Sequence, residues 1–127
     1  MTHGQIIKAG LYSDRANPVK VGMPVSIKAV NGKATIVPYS ETDNAFIGVA
    51  LEDTIVYDEN IEGEQATTPS VSYEGQIDCI AGGQLTVGDK VKPTASGFEK
   101  DTVGTATVGV VLKGATKSGD WATVLFR

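Results

Sequence analysis

The stretch Val25-Ser26-Ile27-Lys28-Ala29-Val30-Asn31-Gly32-Lys33-Ala34-Thr35-Ile36 decides the fold class. Val25, Ile27 and Ala29 alternate with Ser26 and Lys28; beyond Asn31-Gly32, Ala34 and Ile36 alternate with Lys33 and Thr35. A period of two sends successive side chains to opposite faces of a strand. Asn-Gly tolerates the positive φ angles of a type I′ turn, whose twist matches that of its flanking strands, so the stretch predicts a two-residue β-hairpin.

The same period recurs downstream. Val71, Tyr73, Ile77 and Cys79 are interleaved with Ser72, Glu74, Gln76 and Asp78, and Gly75 reads as a bulge or bend. Thr107 to Leu112 and Trp121 to Phe126 are nearly continuous in apolar and β-branched residues, as expected of strands covered on both faces at the centre of the core. No window of a dozen residues free of glycine and proline carries apolar positions at helical spacing, and Ser40-Glu41-Thr42-Asp43 caps a single helical turn at most. The expectation is an all-β chain, a small β-barrel or sandwich with an extended N-terminal arm and little or no helix.

The two halves echo each other. Val21-Gly22-Met23-Pro24-Val25 is answered 66 residues later by Val87-Gly88-Asp89-Lys90-Val91. Each is followed by a turn glycine, Gly32 or Gly97, and then by Ile47-Gly48-Val49-Ala50-Leu51 or, 61 residues on, Val108-Gly109-Val110-Val111-Leu112. Two related strand sets within one body explain this pattern, with a modest difference in loop length; chance recurrence of Val-Gly pairs in a glycine-rich β protein is the alternative. Two regions stand outside it. Residues 1–18 lack a sustained pattern and read as an arm, and residues 52–69, with six acidic side chains and no lysine or arginine, read as a solvated excursion.

The 127 residues suit one domain spanning 1–127. Fifteen glycines imply frequent turns, and the net charge of −4 draws the surface neither to phosphate backbones nor to anionic lipid, so neither nucleic acid nor a membrane is an expected partner. Met1 to Gly10 lacks the charged and apolar regions of a secretory signal, and no run of about 18 apolar residues occurs, so the chain reads as soluble and unexported.

Catalytic and cofactor chemistry finds little footing. The single histidine, His3, lies in the patternless N-terminal segment, where nothing holds it against a nucleophile. One cysteine and one histidine do not make a zinc site, and the acidic stretch lacks the spacing of a calcium loop. Cys79 falls on the apolar side of its strand, where burial raises a thiol's pKa. Ala81-Gly82-Gly83-Gln84-Leu85 lacks the lysine and hydroxyl residue of a phosphate loop and reads as a turn. Val87-Gly88-Asp89-Lys90-Val91 has the strand-turn look of lipoyl and biotinyl carriers without their modified-lysine tip, and a paired-carboxylate glycosidase would need more aromatic platform than eight aromatic residues supply. No enzyme activity and no cofactor is expected.

The order of Gly4 to Asn17, Val19-Lys20-Val21-Gly22-Met23-Pro24-Val25, Gly48-Val49-Ala50-Leu51, Ala81-Gly82-Gly83-Gln84-Leu85-Thr86-Val87-Gly88-Asp89-Lys90-Val91, Val108-Gly109-Val110-Val111-Leu112 and Trp121-Ala122-Thr123-Val124-Leu125-Phe126 resembles the small capsid cement, or decoration, proteins of tailed bacteriophages. The likeness is one of pattern and order over most of the chain, and residues 52–69 depart from the most compact members. It implies a β-barrel or β-tulip-like domain assembled as a homotrimer on the outer surface of the virion, at three-fold or quasi-three-fold positions, with the major capsid protein as partner. Thr2 to Asn17 is then expected to order on binding, with Thr2, His3, Gln5, Ile6, Ile7, Leu11, Tyr12 and Arg15 as partner-binding residues. The alternative from another class is a small adhesion or carbohydrate-binding module that stacks sugars on Tyr12, Tyr39 and Tyr57.

Overall fold

A computed structural model describes residues 3–7, 12–13, 16–42, 46–54 and 70–127. It is all-β, with no helix among the described residues. The strands are β1 (His3–Ile7), β2 (Tyr12–Ser13), β3 (Pro24–Val30), β4 (Lys33–Pro38), β5 (Phe46–Ala50), β6 (Val71–Ile80), β7 (Lys90–Thr94), β8 (Gly97–Lys100), β9 (Gly109–Lys113) and β10 (Trp121–Phe126). One continuous set of ladders runs β2-β4-β3-β5-β6-β10-β9-β7-β8, with β1 paired to β6.

The hairpin forms as its turn chemistry dictates. Val30 pairs with Lys33, and the two residues between them take left-handed φ angles of 53° at Asn31 and 74° at Gly32. A register shift between Val25 and Ser26 turns both into the interior, and Ala29, read from the alternation as inward, is exposed because the hairpin tip projects beyond the core.

The path is curled. At Val71 and Ser72, β6 pairs with β1 and with β5; at Gly75 and Gln76 it pairs with β1 and with β10. Since β1 occupies one edge throughout, β5 and β10 share the other, and the two halves of the chain fan out from the same edge of β6. Beyond β10, the path β9-β7-β8 returns to β6's end through a parallel bridge between Ala81 and Phe98, with Gly82 N donating to Phe98 O at 2.8 Å. On the other side, β1 and β2 lie at the two ends of a six-strand path yet are separated by only residues 8–11. That linkage spans at most about 18 Å, less than the roughly 24 Å a flat path would need.

The core forms two clusters, the larger of which also takes in Val49 of β5 and Ile77 and Cys79 of β6. Val19, Val25, Ile36, Ala50 and Val71 pack in the first; Leu85, Val91, Phe98, Val111, Val124 and Phe126 lead the second. Phe98 and Phe126 meet edge to face at 5.1 Å, and Phe46 joins them at 5.9 and 6.4 Å.

The sequence echo is a structural repeat. Running outward from the β6·β10 ladder, the order reads β6-β5-β3-β4 on one side and β10-β9-β7-β8 on the other. In the first half Met23 N donates to Lys20 O (3.1 Å), Gly22 N to Ala50 O (2.8 Å), Ala50 N to Met23 O (3.1 Å) and Tyr39 N to Pro24 O (3.1 Å). The second half repeats all four, Asp89 N to Thr86 O (2.9 Å), Gly88 N to Val111 O (2.9 Å), Val111 N to Asp89 O (2.9 Å) and Asp101 N to Lys90 O (2.8 Å). Gly48 and Gly109 are matched as well: a side chain on either would strike the backbone oxygen of Ser72 or Leu125 and the valine, Val71 or Val124, just before it.

Further sequence expectations are corrected. β10 is not covered on both faces: Ala122, Val124 and Phe126 are buried while Trp121 is half exposed. β9 likewise buries Gly109 and Val111 and exposes Leu112. Tyr73 leaves the buried face because β1 skips it, pairing Gln5 with Glu74 and Ile6 with Ser72. Glu41 and Thr42 form a turn, with Ser40 Oγ and Thr42 Oγ1 2.9 Å apart.

Candidate interaction surface

The N-terminal segment expected as an arm carries two strands. His3, Gln5, Ile6 and Ile7 lie on β1, in register with Gln76, Glu74, Ser72 and Val71 of β6. Tyr12 lies on β2, parallel to β4 and opposite Thr35; it is 48% exposed, with Lys33 Nζ 4.9 Å from its ring centroid. Thr2, Leu11 and Arg15 lie outside the described residues. The named positions therefore divide between two elements, one beside β6 and one beside β4, and β1 has no ladder other than that with β6 among the described residues.

Of the tyrosines weighed as a sugar platform, Tyr39 is half-buried and turned edge-on to Phe46 at 6.3 Å, and Tyr57 lies outside the described residues. Most of the expected acidic excursion, residues 55–69, lies outside the described residues; at its ends Leu51 N donates to Ser70 O at 2.9 Å and Ser70 N to Glu52 Oε1 at 3.1 Å. Val21 N donates to Asp53 Oδ1 at 2.7 Å, and Thr54 N to Val19 O at 2.9 Å.

No group of three or more His, Cys, Asp or Glu side chains gathers among the described residues. Cys79 is fully buried; burial pushes its thiol up to about 12, with the Asp78 charge adding to the shift, so it stays protonated and unreactive at neutral pH. Asp101 organises a loop. Thr107 Oγ1 donates to it at 2.7 Å, Gly104 N at 2.9 Å and Ala106 N at 3.1 Å, and these bonds hold its carboxyl below the usual carboxylate range.

The surface feature that sequence reasoning missed is Trp121. It is 50% exposed at the start of β10, opposite Ile80, and stands between two open grooves. One, of about 510 Å³, is lined by Gln84, Thr116 and Asp120 among others; the second, of about 300 Å³, by Gln76, Lys113 and Thr123. The ring lies over Gly22, where a side chain would sit 2.7 Å from Cζ3 and Cη2. The signal for it was present in the small-to-large alternation Ala122, Val124, Phe126, which leaves Trp121 on the opposite face.

No family model matches the sequence, and no curated protein matches it. The fold is similar to that of the head fiber gp8.5 N base in bacteriophage phi29, with a TM-score of 0.70 over 97% of this chain and 95% of that one, at 13% sequence identity. At that identity the likeness shows a shared fold.

Proposed function

We propose that this protein is a non-enzymatic structural component of a tailed-phage virion that binds the outer surface of the head and stabilises the expanded shell as a cement or decoration protein. The observation that carries this reading is the likeness in fold, over nearly the whole of both chains, to the base of a phage head fiber. The order of strand motifs, resembling decoration proteins, points the same way.

The physical mechanism is burial across boundaries between subunits of the major capsid protein. A protein that binds the expanded lattice and not a disrupted one stabilises it by mass action at every occupied site. Assembly as a homotrimer over three equivalent positions raises effective concentration without a new type of contact. β1 supplies the means of attachment, since its outer edge offers backbone donors and acceptors to an extended segment of a capsid subunit or a neighbouring copy.

Sedimentation with expanded, undecorated heads tests the reading. The expected result is saturating, symmetric stoichiometry and heads that survive heating better when decorated. Absence of binding at micromolar protein would overturn it. Removing residues 2–17 is expected to abolish binding while Trp121 emission and the melting transition report whether the rest still folds; a folded, truncated chain that binds normally would refute the role of β1.

A further inference from the structure

We infer that Trp121 and its flanking grooves form a carbohydrate site that stacks a neutral sugar ring on the exposed half of the indole. The inference is separate from head attachment and takes its support from three observations.

The ring is held in place without being buried. Gly22 has no side chain where the indole lies, Ile80 packs beneath the same position, and half of Trp121's surface is still open. An immobile aromatic face loses little conformational freedom on binding, which is what makes tryptophan an effective platform.

The fold does not require this cover. The Lys20–Met23 turn under Trp121 has its repeat in the Thr86–Asp89 turn, built from the same hydrogen bonds, yet there a side chain on Gly88 would meet nothing within 4 Å and Val87 is 67% exposed against 37% for Val21. One turn stands open and its twin carries an indole, so Trp121 is an addition to the scaffold.

The chemistry around the ring suits hydroxyl groups. Gln84, Thr116 and Asp120 on one side and Gln76, Lys113 and Thr123 on the other offer amide, hydroxyl and carboxylate groups beside an apolar face. Asp120 is oriented by Thr116 Oγ1, which donates to its Oδ2 at 2.8 Å. A sugar presents an apolar C–H face to an aromatic ring and hydroxyls at its rim, matching this arrangement. A single lysine among these groups argues against a phosphorylated ligand, for which clustered basic side chains are the usual recognition element.

Trp121 is the chain's only tryptophan, so intrinsic emission reports the site directly. Purified protein is titrated with neutral oligosaccharides of three to six units built from glucose, galactose, mannose or N-acetylglucosamine. The expected result is a saturable change in emission for at least one series, confirmed by calorimetry. Trp121→Ala is expected to weaken binding at least about tenfold, and Gln84→Ala, which spares the ring, should also weaken it. No response across the panel overturns the proposal. So does binding that survives Trp121→Ala in a protein that still melts cooperatively, or an emission shift that depends on protein concentration alone, which would make the indole a contact between copies.

Discussion

The internal repeat offers a controlled experiment on packing. Gly22 and Gly88 occupy matched turns with φ of 81° and 92°, so alanine at either position incurs similar backbone strain, about 1–2 kcal/mol. Only at Gly22 does the new methyl group meet anything: it would sit 2.7 Å from the Trp121 ring and 2.9 Å from Ile80 Cγ1. Forcing atoms into an occupied site costs a further 1–3 kcal/mol or so. Gly88→Ala is therefore expected to destabilise by about 1–2 kcal/mol and Gly22→Ala by about 2–5. At roughly 4 °C per kcal/mol for a chain of this size, the two should differ by about 4–12 °C in Tm. Urea and thermal melts of both variants, and of Gly22→Ala combined with Trp121→Ala, give the coupling energy. In the combined variant the excess cost at Gly22 should largely vanish. Equal costs at the two glycines, or an excess that persists without the indole, would refute the reasoning.

Other expectations follow from single groups. Ser26 Oγ is fully buried and is the only such side-chain atom without a partner among the described residues, so Ser26→Ala is expected to leave stability unchanged or raise it by about 1 kcal/mol in denaturant melts. Asp101 has a folded pKa below its unfolded value, so its contribution is fully present above about pH 4 and fades as pH falls through the lower folded value. Asp101→Asn should lower Tm at pH 7, and the gap to the parent should narrow below pH 4; a gap independent of pH would contradict this. Cys79 should react with a thiol reagent only as fast as the protein opens, so its labelling rate in native buffer is expected to rise with urea in step with unfolding.

Local chemistry was the most legible part of the sequence. The Asn31-Gly32 turn needs only two residues of the right kind, and it formed where the alternation placed it. The repeat was visible because matched turns need matched glycines, although the sequence could not reveal that four hydrogen bonds recur with them. Burial was misread where it depends on neighbours. The runs at β9 and β10 are apolar throughout, yet their outer residues Leu112 and Trp121 have no second layer above them. Tyr73 was placed inward by a period that is interrupted where the β1 ladder passes over it. A barrel was among the expected forms, but the contact that curls the sheet, Phe98 reaching Ala81, is a pairing no local pattern announces. At the candidate site, the importance of Trp121 depends on an empty position at Gly22, 99 residues away in the chain.

The tie between Leu51 and Ser70 makes this protein a natural carrier for grafted peptides. Because Leu51 and Ser70 are already joined by a backbone hydrogen bond, the span between them begins and ends at adjacent points of the scaffold. Lengthening a loop whose ends are fixed costs only about 0.6 kcal/mol for each doubling. An epitope or affinity tag replacing that span should therefore leave the ten-strand body standing, provided Glu52, Asp53 and Thr54 are kept to hold the anchor.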